Sequence, residues 1–319
     1  MDKNSKICIF GKYGMVGSAI YRQLIDNGFT NIISKRHAEL DLTQQSVVND
    51  YLTQQQPEYV ILAAAKVGGI YANNKYRGQF IYENLMIQSN IIHASYINNV
   101  KKLIFLGSSC IYPKLSKQPI KEESLLTSPL EPTNEPYAIA KIAGLRMCQA
   151  YNEQYNTNFI SLMPTNLYGI GDNYDPENSQ VIPGLIQKLH NAKENNLPSV
   201  SVWGDGTQLR EFLCVDDLAK ACVFILESIN YKDIVFEDIN MVYSHINVGS
   251  GKEISIKRLS EIIKDITGFK GKLFFDKTKP NGTPRKIIDS SRLLKLGWKP
   301  KIDFLDGLKT TYTDFLTKR

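Results

Sequence analysis

Short apolar runs alternate with amphipathic segments along the first half of the chain. The runs have the length of buried strands, and they are KICIF at 6–10, NIIS at 31–34, YVILAA at 59–64, KLIFLG at 102–107 and FISLM at 159–163. Between them, apolar residues recur every three or four positions, as on one face of a helix. These helical segments are 15–27, 46–55, 79–98 and 137–155. Apolar strands separated by helices predict an α/β fold built on a doubly wound parallel sheet.

The pattern changes after the fifth apolar run. Glycine, asparagine and proline become frequent in residues 170–210, where fewer elements are predicted. The elements of the second half are a helix at 183–195, a strand at 199–203, a helix at 216–226, a strand at 245–249, a helix at 256–267, the strand KLFFD at 272–276 and two short helices. We predict a sheet domain formed by 1–169 and 212–249, and a smaller C-terminal α/β lobe formed by 170–211 and 250–319.

Composition and charge narrow the class of protein. The chain has 319 residues, of which 43% are hydrophobic and 22% charged, as in an ordinary soluble globular protein. Its net charge is +6, but the basic residues are scattered, so we expect no nucleic-acid-binding surface. No apolar run is long enough to span a membrane, and the N-terminus has no signal-peptide pattern. The five cysteines form no CxxC pair, so we expect reduced thiols, no metal site and a cytoplasmic protein.

A glycine-rich turn follows the first predicted strand. Residues 11–17 read GKYGMVG, which gives Gly11, Gly14 and Gly17 the spacing GxxGxxG at the start of the first predicted helix. Glycines permit a sharp turn and the close approach of a pyrophosphate, and the N–H groups at a helix start favour phosphate. A glycine triplet alone often arises by chance, but its place between a strand and a helix predicts a dinucleotide site.

The end of the second predicted strand indicates which dinucleotide binds. Proteins that bind NAD usually place an acidic residue there to hold the ribose 2′-hydroxyl. This chain reads SKRH at 34–37, and the cations Lys35 and Arg36 suit a 2′-phosphate, which favours NADP. Asp41 and Leu42 are expected to flank the adenine. The alternative is that Lys35 and Arg36 lie on a solvated loop.

A tyrosine and a lysine lie one helical turn apart in the fourth amphipathic segment. They are Tyr137 and Lys141 in PYAIAKIAG. A nearby ammonium lowers the pKa of a tyrosine, so we expect Tyr137 to exchange a proton with a substrate oxygen. Ser108 follows the central strand in GSSCIYP, where its hydroxyl is expected to hold the same oxygen. The spacing YxxxK is common by chance, but together with Ser108 and the glycine turn it resembles the extended short-chain dehydrogenase/reductase superfamily, which has a Rossmann fold.

Longer stretches resemble one family of that superfamily, GDP-L-fucose synthase. They are AAAKVGGIYANN (63–74), LGSSCIYPK (106–114), EPTNEPYAIAKIAG (131–144), MPTNLYG (163–169), REFLCVDD (210–217), SHINVG (244–249) and KPNGTPRK (279–286). The resemblance spans nearly the whole chain. It implies an NADPH enzyme that takes GDP-4-keto-6-deoxy-D-mannose, epimerises C3 and C5, and reduces the C4 ketone. It also implies a homodimer that pairs the helices at 79–98 and 137–155 in a four-helix bundle.

The resemblance assigns roles to individual positions. The family's catalytic serine, tyrosine and lysine fall on Ser108, Tyr137 and Lys141, and the cysteine that works in its epimerisation falls on Cys110. Cofactor contacts fall on Gly11, Gly14, Met15, Val16, Gly17, Lys35, Arg36, Asp41, Leu42, Ala63, Lys141, Pro164, Asn166 and Leu167. Substrate contacts fall on Ser109, Asn166, Lys188, Trp203, Arg210 and Asn281. The guanidinium of an arginine suits a diphosphate, whereas the tryptophan either stacks on a ring or packs the smaller lobe.

The chain departs from the family at the position of its epimerase histidine, which here is Gln180. A carboxamide forms hydrogen bonds but does not titrate, so Gln180 cannot supply the proton that inversion at C3 or C5 requires. The family usually has an acid where this chain has Asn281, and arginines where it has Tyr13 and His37. Cys110 and Gln180 are then expected to be a vestigial epimerase pair.

These observations predict an NADPH-dependent C4-ketoreductase of a GDP-4-keto-6-deoxy hexose or heptose whose epimerase activity is lost or weak. The sugar dehydratases of the superfamily have an acid in the stretch that reads GSSCIYP here, which argues against that class. An alternative is a bifunctional GDP-L-fucose synthase in which Asp172, Asp175 or a water molecule replaces the histidine. A second alternative is a non-catalytic dinucleotide sensor, which would typically have lost Tyr137 or Lys141.

Overall fold

The structure, a computed structural model, describes residues 1–176, 178–238, 241–279 and 282–318. Its strands in chain order are β1 (Ile7–Phe10), β2 (Ile32–Ile33), β3 (Tyr59–Leu62), β4 (Lys102–Leu106), β5 (Phe159–Pro164), β6 (Asn166–Tyr168), β7 (Ser199–Trp203), β8 (Leu209–Cys214), β9 (Phe236–Asp238), β10 (Met241–Tyr243), β11 (His245–Val248), β12 (Glu253–Ser255), β13 (Lys272–Asp276) and β14 (Arg285–Lys286). Its α-helices are α1 (Met15–Asp26), α2 (Gln45–Gln55), α3 (Ile70–Lys75), α4 (Arg77–Ile97), α5 (Glu135–Tyr155), α6 (Val181–Glu194), α7 (Val215–Ser228), α8 (Ile256–Thr267), α9 (Ser291–Lys295) and α10 (Phe304–Thr317). Among the residues described, no helix is both long and apolar enough to cross a membrane.

A six-stranded parallel sheet forms the centre of the molecule, in the order β2-β1-β3-β4-β5-β11. From β1 the chain proceeds outward to β2 and then crosses back to β3 on the other side of β1. The strand order therefore reverses between β1 and β3, and at such a point the carboxyl ends of the strands leave a crevice for ligands. The predicted doubly wound parallel sheet is confirmed, and the turns after β1 and β4 lie at its ligand edge.

Helices cover both faces of this sheet. Along β1, Ile7 and Ile9 pack against α1 and α7 on one face, whereas Cys8 and Phe10 pack against α2 and α4 on the other. All four side chains are at most 3% exposed, and they alternate between the faces as strand residues do. Burial on both faces explains why the strands of the central sheet appear in the sequence as unbroken apolar runs.

The smaller lobe contains two short sheets. In one, β8 lies between β12 and β14 and also pairs with β6, and in the other β7 pairs with β13. Helices α6, α8 and α10 pack with these strands around a separate apolar cluster. Strand β8 begins in the predicted lobe and ends in the predicted sheet domain, and the division of the chain into these two domains stays a prediction.

Most of the longer elements agree with the sequence prediction, although the six-residue strand β8 was not predicted. Helix α8 has its predicted bounds; it begins where Ser255 Oγ accepts a hydrogen bond from the Arg258 N–H at 3.1 Å, and it ends at Gly268 with a φ of 75°. The prediction of two short C-terminal helices is wrong for α10, which has 14 residues. Elements that the hydrophobic pattern did not predict are α3, β6, β8, β9, β10, β12 and β14. Most of these are too short to show a period in the sequence.

The close approach of α1 to the turn after β1 gives a test of the glycine spacing. A Cβ at Gly17 would lie 2.0 Å from the Gly11 carbonyl oxygen, whereas a Cβ at Gly14 would lie 3.5 Å from the same atom. Gly17→Ala is expected to lower the free energy of unfolding by about 1–3 kcal/mol, as overpacking does. Gly14→Ala is expected to lower it by less than about 1 kcal/mol, the usual scale of this substitution. Urea unfolding followed by circular dichroism measures both, and equal losses would contradict the close contact at Gly17.

Candidate active site

A cavity of about 1720 Å³ opens at the ligand edge of the central sheet and extends into the smaller lobe. Its wall includes the turn after β1, the ends of β3, β4 and β5, the start of α5, and residues of α6, β7 and β8. Pockets for a single small ligand usually have about 300–1000 Å³. This cavity is therefore large enough for two ligands, one against the sheet and one against the smaller lobe.

The turn between β1 and α1 has the geometry of a phosphate site. Gly11 has a φ of 90°, and a Cβ there would lie 2.7 Å from the backbone nitrogen of Ala64. Gly14 stands at the N-terminal end of α1 and donates its N–H to the Gly11 carbonyl oxygen at 3.0 Å. In the described part of the chain, no side chain caps α1 and no acidic residue lies in its first turn. The first-turn N–H groups, at Met15 and Val16 on the cavity wall, fit the pyrophosphate of a dinucleotide.

Most of the predicted cofactor contacts line this side of the cavity. They are Gly11, Gly14, Met15, Val16, Gly17, Lys35, Asp41, Leu42, Ala63, Lys141, Pro164, Asn166 and Leu167. Lys35 Nζ pairs with the Glu39 carboxylate at 3.1 Å. The Arg36 guanidinium lies 4.1 Å from the ring centroid of Tyr13, and it is Tyr13 that lines the cavity. Lys35 thus lies on the wall where a 2′-phosphate was predicted, and Arg36 lies behind the ring of Tyr13.

The tyrosine and the lysine lie at the start of α5, beside the end of β4. Lys141 is 2% exposed, and its Nζ donates a hydrogen bond to the Leu106 carbonyl oxygen at 2.8 Å. Because Leu106 is the last residue of β4, this bond fixes α5 against the strand that leads to Ser108. The Ser108 hydroxyl is hydrogen-bonded to Tyr137. The structure therefore brings Ser108, Tyr137 and Lys141 together on one wall of the cavity.

Burial determines the protonation of these groups. It raises the pKa of Tyr137, with a smaller rise from the neighbouring Cys110 and an opposing effect from the hydrogen bond with Ser108. Burial also lowers the pKa of Lys141 to about 7. The expectation that Lys141 lowers the pKa of Tyr137 is not met, because Nζ lies 5.8 Å from the tyrosine ring centroid and is directed at the Leu106 carbonyl. Desolvation of the phenol dominates, and Tyr137 is held in its protonated form.

Cys110 lies on the cavity wall in a 3₁₀ turn, Ser109–Ile111, that follows β4. The Ser108 hydroxyl caps this turn by accepting a hydrogen bond from the Cys110 N–H at 3.1 Å. The sulfur of Cys110 accepts hydrogen bonds from Asn134 Nδ2 at 3.2 Å and from Lys286 Nζ at 3.7 Å. The other cysteines are buried, and burial raises the pKa of each thiol. Cys110 is the cysteine that faces the cavity, and its surroundings are polar rather than those of an apolar core residue.

Gln180 lies on the cavity wall where the segment before α6 meets the segment after β3. Its Nε2 donates a hydrogen bond to the Gly68 carbonyl oxygen at 3.1 Å. Nearby, the Gly69 N–H donates to the Asn178 carbonyl oxygen at 3.1 Å. Cys110 and Gln180, which the resemblance places together as an epimerase pair, therefore form their hydrogen bonds to different groups.

The wall of the smaller lobe carries most of the predicted substrate contacts. Those that line the cavity are Ser109, Asn166, Lys188, Trp203 and Arg210. Trp203 is 57% exposed, so it does not pack in the core of the lobe, and Lys279 Nζ lies 5.7 Å from its ring centroid. Lys188 and Arg210 each donate a hydrogen bond to a backbone carbonyl oxygen. Asn281 lies outside the described residues.

The chain matches the model of the NAD dependent epimerase/dehydratase family over residues 7–249. It is 56% identical to GDP-L-fucose synthase 1 of Arabidopsis thaliana, over 99% of this chain and 94% of that protein. The chain belongs to the GDP-L-fucose synthase branch of this family. The resemblance found in its sequence is confirmed.

Two solved structures share the fold of this chain over nearly its whole length. A GDP-6-OMe-4-keto-L-xylo-heptose reductase from Campylobacter jejuni has a TM-score of 0.95 at 40% identity, covering 100% of this chain and 99% of that chain. A GDP-mannoheptose C4 reductase from Campylobacter jejuni with NADP bound has a TM-score of 0.90 at 42% identity, covering 99% of each chain. The fold of the GDP-L-fucose synthase branch is thus also that of reductases of GDP-linked heptoses.

Two residues that contact the Cys110 sulfur were not predicted as site residues. Asn134 and Lys286 lie in stretches that carry the family resemblance, but no local pattern marks them. Lys286 reaches Cys110 because β14 pairs with β8, a contact between distant parts of the chain. The one local signal is that Lys286 closely follows a Gly-Thr-Pro turn. Over the ranges that the structure describes, no three His, Cys, Asp or Glu side chains are grouped as metal ligands.

The burial of Lys141 predicts a cost in stability that depends on pH. Because its pKa is lowered to about 7 in the folded protein, the unfolded chain binds more protons between that pH and the ordinary lysine pKa of about 10.4. The cost of the buried charge is therefore largest below pH 7 and falls as the pH rises. Lys141→Met is expected to raise the melting temperature by on the order of 2 °C at about pH 6, and by less at about pH 9. Thermal unfolding at both pH values measures the shift; equal shifts would mean that the folded-state charge is not the cause.

Proposed function

We propose that the protein is an NADPH-dependent C4-ketoreductase of a GDP-linked 4-keto-6-deoxy sugar, a hexose or a heptose, and that it does not epimerise C3 or C5. The observation that carries this proposal is a single cavity in which Ser108, Tyr137 and Lys141 lie between the phosphate-binding turn and the smaller lobe. By the sequence resemblance, the family's epimerase histidine falls on Gln180, a residue that does not titrate. The groups for reduction are present, and the acid for inversion is not at position 180.

The sheet side of the cavity fits NADPH. The glycine turn would hold the pyrophosphate at the start of α1. Lys35 would face the 2′-phosphate, with Arg36 adding positive charge from behind Tyr13. When bound, NADPH supplies the hydride that reduces the ketone. The NADP in the solved GDP-mannoheptose C4 reductase supports this choice of cofactor.

Tyr137 is the proton donor of the proposed reduction. As C4 is reduced, negative charge develops on its oxygen, which the Tyr137 hydroxyl protonates while the Ser108 hydroxyl donates a hydrogen bond. Burial raises the pKa of Tyr137 and so keeps the phenol protonated until that charge develops. Lys141 lies one helical turn away, and its amine, with a pKa of about 7, suits the return of a proton to the tyrosine at neutral pH.

The smaller-lobe side of the cavity fits a GDP-linked sugar. Arg210 offers a planar fork for two oxygens of a diphosphate, and Lys188 adds a second cation on the same wall. Trp203 is exposed and can stack on the guanine. Ser109, beside the catalytic serine, is placed for a sugar hydroxyl. The names of the fucose synthase and heptose reductase relatives both specify GDP-linked sugars, which supports this substrate class.

We also propose that the protein is a cytoplasmic homodimer. Helices α4 and α5 are neighbours on one face of the central sheet. Tyr82 and Ile97 on α4, and Ile139 and Tyr155 on α5, are at least 40% exposed. Exposed apolar side chains on two adjacent helices suit a four-helix bundle with the same helices of a second copy.

A bifunctional GDP-L-fucose synthase is the second candidate, and the observation that favours it is a buried acid. Asp172 lines the cavity and is 8% exposed, and burial raises its pKa to about 7, in the range of a catalytic acid. However, a Cβ at the preceding Gly171 would lie 3.4 Å from Met15 Cα, which places this acid beside the start of α1 at the cofactor end. Asp175 is exposed and accepts a hydrogen bond from the Asn178 N–H at 2.9 Å. These positions favour the reductase without epimerase activity.

Tyr137→Phe tests the role of the proton donor. The ring remains but the hydroxyl is lost, so the oxidation of NADPH with GDP-4-keto-6-deoxy-D-mannose is expected to slow by about 10²–10⁴-fold. NADPH should still bind, because the glycine turn is unchanged. Nicotinamide absorbance measures oxidation, and fluorescence titration measures binding. Tyr21→Phe, outside the cavity wall, is the matched control and should keep its activity; full activity of Tyr137→Phe would refute the assignment.

The configuration of the product separates the two candidate functions. With NADPH and GDP-4-keto-6-deoxy-D-mannose, we expect an unepimerised GDP-linked 6-deoxy sugar, and NMR of the isolated product distinguishes it from GDP-L-fucose. Gln180→His should add a fraction of epimerised product, because it supplies a titratable group. Gln187→His, at another glutamine on the cavity wall, is the matched control. GDP-L-fucose from the unmodified enzyme would establish the second candidate, and no NADPH consumption would direct the assay to GDP-linked keto-heptoses.

A further inference from the structure

Glu211 is a fully buried acid in the middle of β8, and the proposed reduction makes no use of it. Its Oε1 accepts a hydrogen bond from the Gly251 N–H at 2.7 Å, and its Oε2 accepts one from the Ile288 N–H at 3.0 Å. Burial raises the pKa of Glu211, whereas the N–H donors of Ile288 and Gly251 lower it. Because a carboxylate only accepts hydrogen bonds, it suits this pair of donors better than a carboxamide of the same shape.

The glycine at position 249 leaves room for this carboxylate. A Cβ at Gly249 would clash with Glu211 Oε1 and would lie 2.9 Å from Ile288 Cγ1. The Gly249 N–H donates a hydrogen bond to the Ser290 hydroxyl at 2.8 Å. The segment after β11 and the segment after β14 are therefore packed tightly together around the Glu211 carboxylate.

The partners of Glu211 lie where the chain passes between the central sheet and the smaller lobe. Residues 249–252 connect β11 of the central sheet to β12 of the lobe. Thr165 connects β5 to β6 in the same way, and its hydroxyl donates to the Glu211 backbone carbonyl oxygen at 3.3 Å. Ile288 lies between β14 and α9, a helix that neighbours β11. One residue of β8 thus joins three connecting segments of the chain.

The strand that carries Glu211 also forms part of the cavity wall. Arg210 and Phe212 line the cavity, and because side chains alternate along a strand, Glu211 between them faces the other way. The Arg210 guanidinium lies against the segment before β14, since a Cβ at Gly282 would lie 3.3 Å from its Nη2. The carboxylate is therefore behind the wall that would hold the GDP-linked sugar.

We propose that Glu211 is a positioning residue whose buried carboxylate fixes the smaller lobe against the central sheet and thereby sets the affinity of the cavity for the nucleotide of the GDP-linked sugar. This inference rests on the proposed function, which identifies the lobe wall as the GDP site. The glycine turn and Lys35 follow β1 and β2, at the opposite edge of the central sheet from β5 and β11. The affinity for the cofactor is therefore independent of Glu211.

The binding of GDP and of NADP⁺ tests this proposal. In Glu211→Gln, one carboxylate oxygen becomes an amide nitrogen that faces an N–H donor. The Kd for GDP is expected to rise about tenfold, the scale of one lost buried hydrogen bond, whereas the Kd for NADP⁺ should not change. Isothermal titration calorimetry measures both. With GDP-4-keto-6-deoxy-D-mannose, the KM for the sugar nucleotide should rise by the same factor while kcat and the KM for NADPH are retained.

Hydrogen exchange followed by mass spectrometry locates the effect. Glu211→Gln should speed amide exchange in peptides that cover 249–252 and 286–289, but not in those that cover the glycine turn. Gly249→Ala, whose Cβ would displace the carboxylate, should give the same selective loss of GDP affinity, and it decides the question should Glu211→Gln fail to fold. Glu253→Gln is the matched control and should change neither affinity. Glu253 pairs with Glu211 in the β8–β12 register, and its carboxylate lies 2.8 Å from Arg285 Nε.

Three results would overturn the proposal and leave the reductase assignment intact. They are an equal loss of GDP and NADP⁺ affinity in Glu211→Gln, a GDP affinity that matches that of Glu253→Gln, and unchanged exchange in both peptides. If the unmodified protein does not bind GDP, both the proposal and the substrate class are wrong. Selective loss of GDP affinity in a protein that oxidises no NADPH would support the role of Glu211 and count against the proposed reduction.

Discussion

The site depends on one buried hydrogen bond, from Lys141 Nζ to the carbonyl oxygen of Leu106. It joins α5, which carries Tyr137, to the last residue of β4, the strand that leads to Ser108. Burial of an amine costs free energy unless the group is hydrogen-bonded, so the carbonyl at the strand end is what allows Lys141 to remain there. The apolar packing of both elements offsets the remaining cost. This single contact between a strand and a helix thus helps to hold Tyr137, Ser108 and Lys141 near one another.

The parts of the fold that could be predicted are those whose cause is local. A strand buried on both faces appears as a run such as KLIFLG, and the glycine turn and the tyrosine–lysine spacing are also visible within a few residues. β14 has two residues and exists because β8 provides its partner, so no local pattern predicted this strand or the place of Lys286. The direction of the Tyr137 pKa was mispredicted for a similar reason, since spacing reveals a neighbouring charge but not the depth of burial.

Gln180 has a structural role of its own. Gln180 bonds the Gly68 carbonyl, and the adjacent backbone bond from Gly69 to Asn178 strengthens the same contact. Gln180, the N-cap residue of α6, thereby connects this helix to the segment that follows β3. The carboxamide of Gln180 therefore forms a hydrogen bond to the facing segment but supplies no proton to the cavity wall.

The surroundings of the thiol come from two distant parts of the chain. Cys110 and Asn134 lie in the first half, whereas Lys286 lies near the C-terminus on a strand that pairs with β8. The groups that would protonate the ketone oxygen all fall within residues 108–141. The groups for reduction therefore lie in one short stretch of the chain, whereas the surroundings of the Cys110 sulfur also include a residue of the C-terminal segment. A change in the C-terminal segment can therefore alter the surroundings of Cys110 while the residues proposed for reduction stay unchanged.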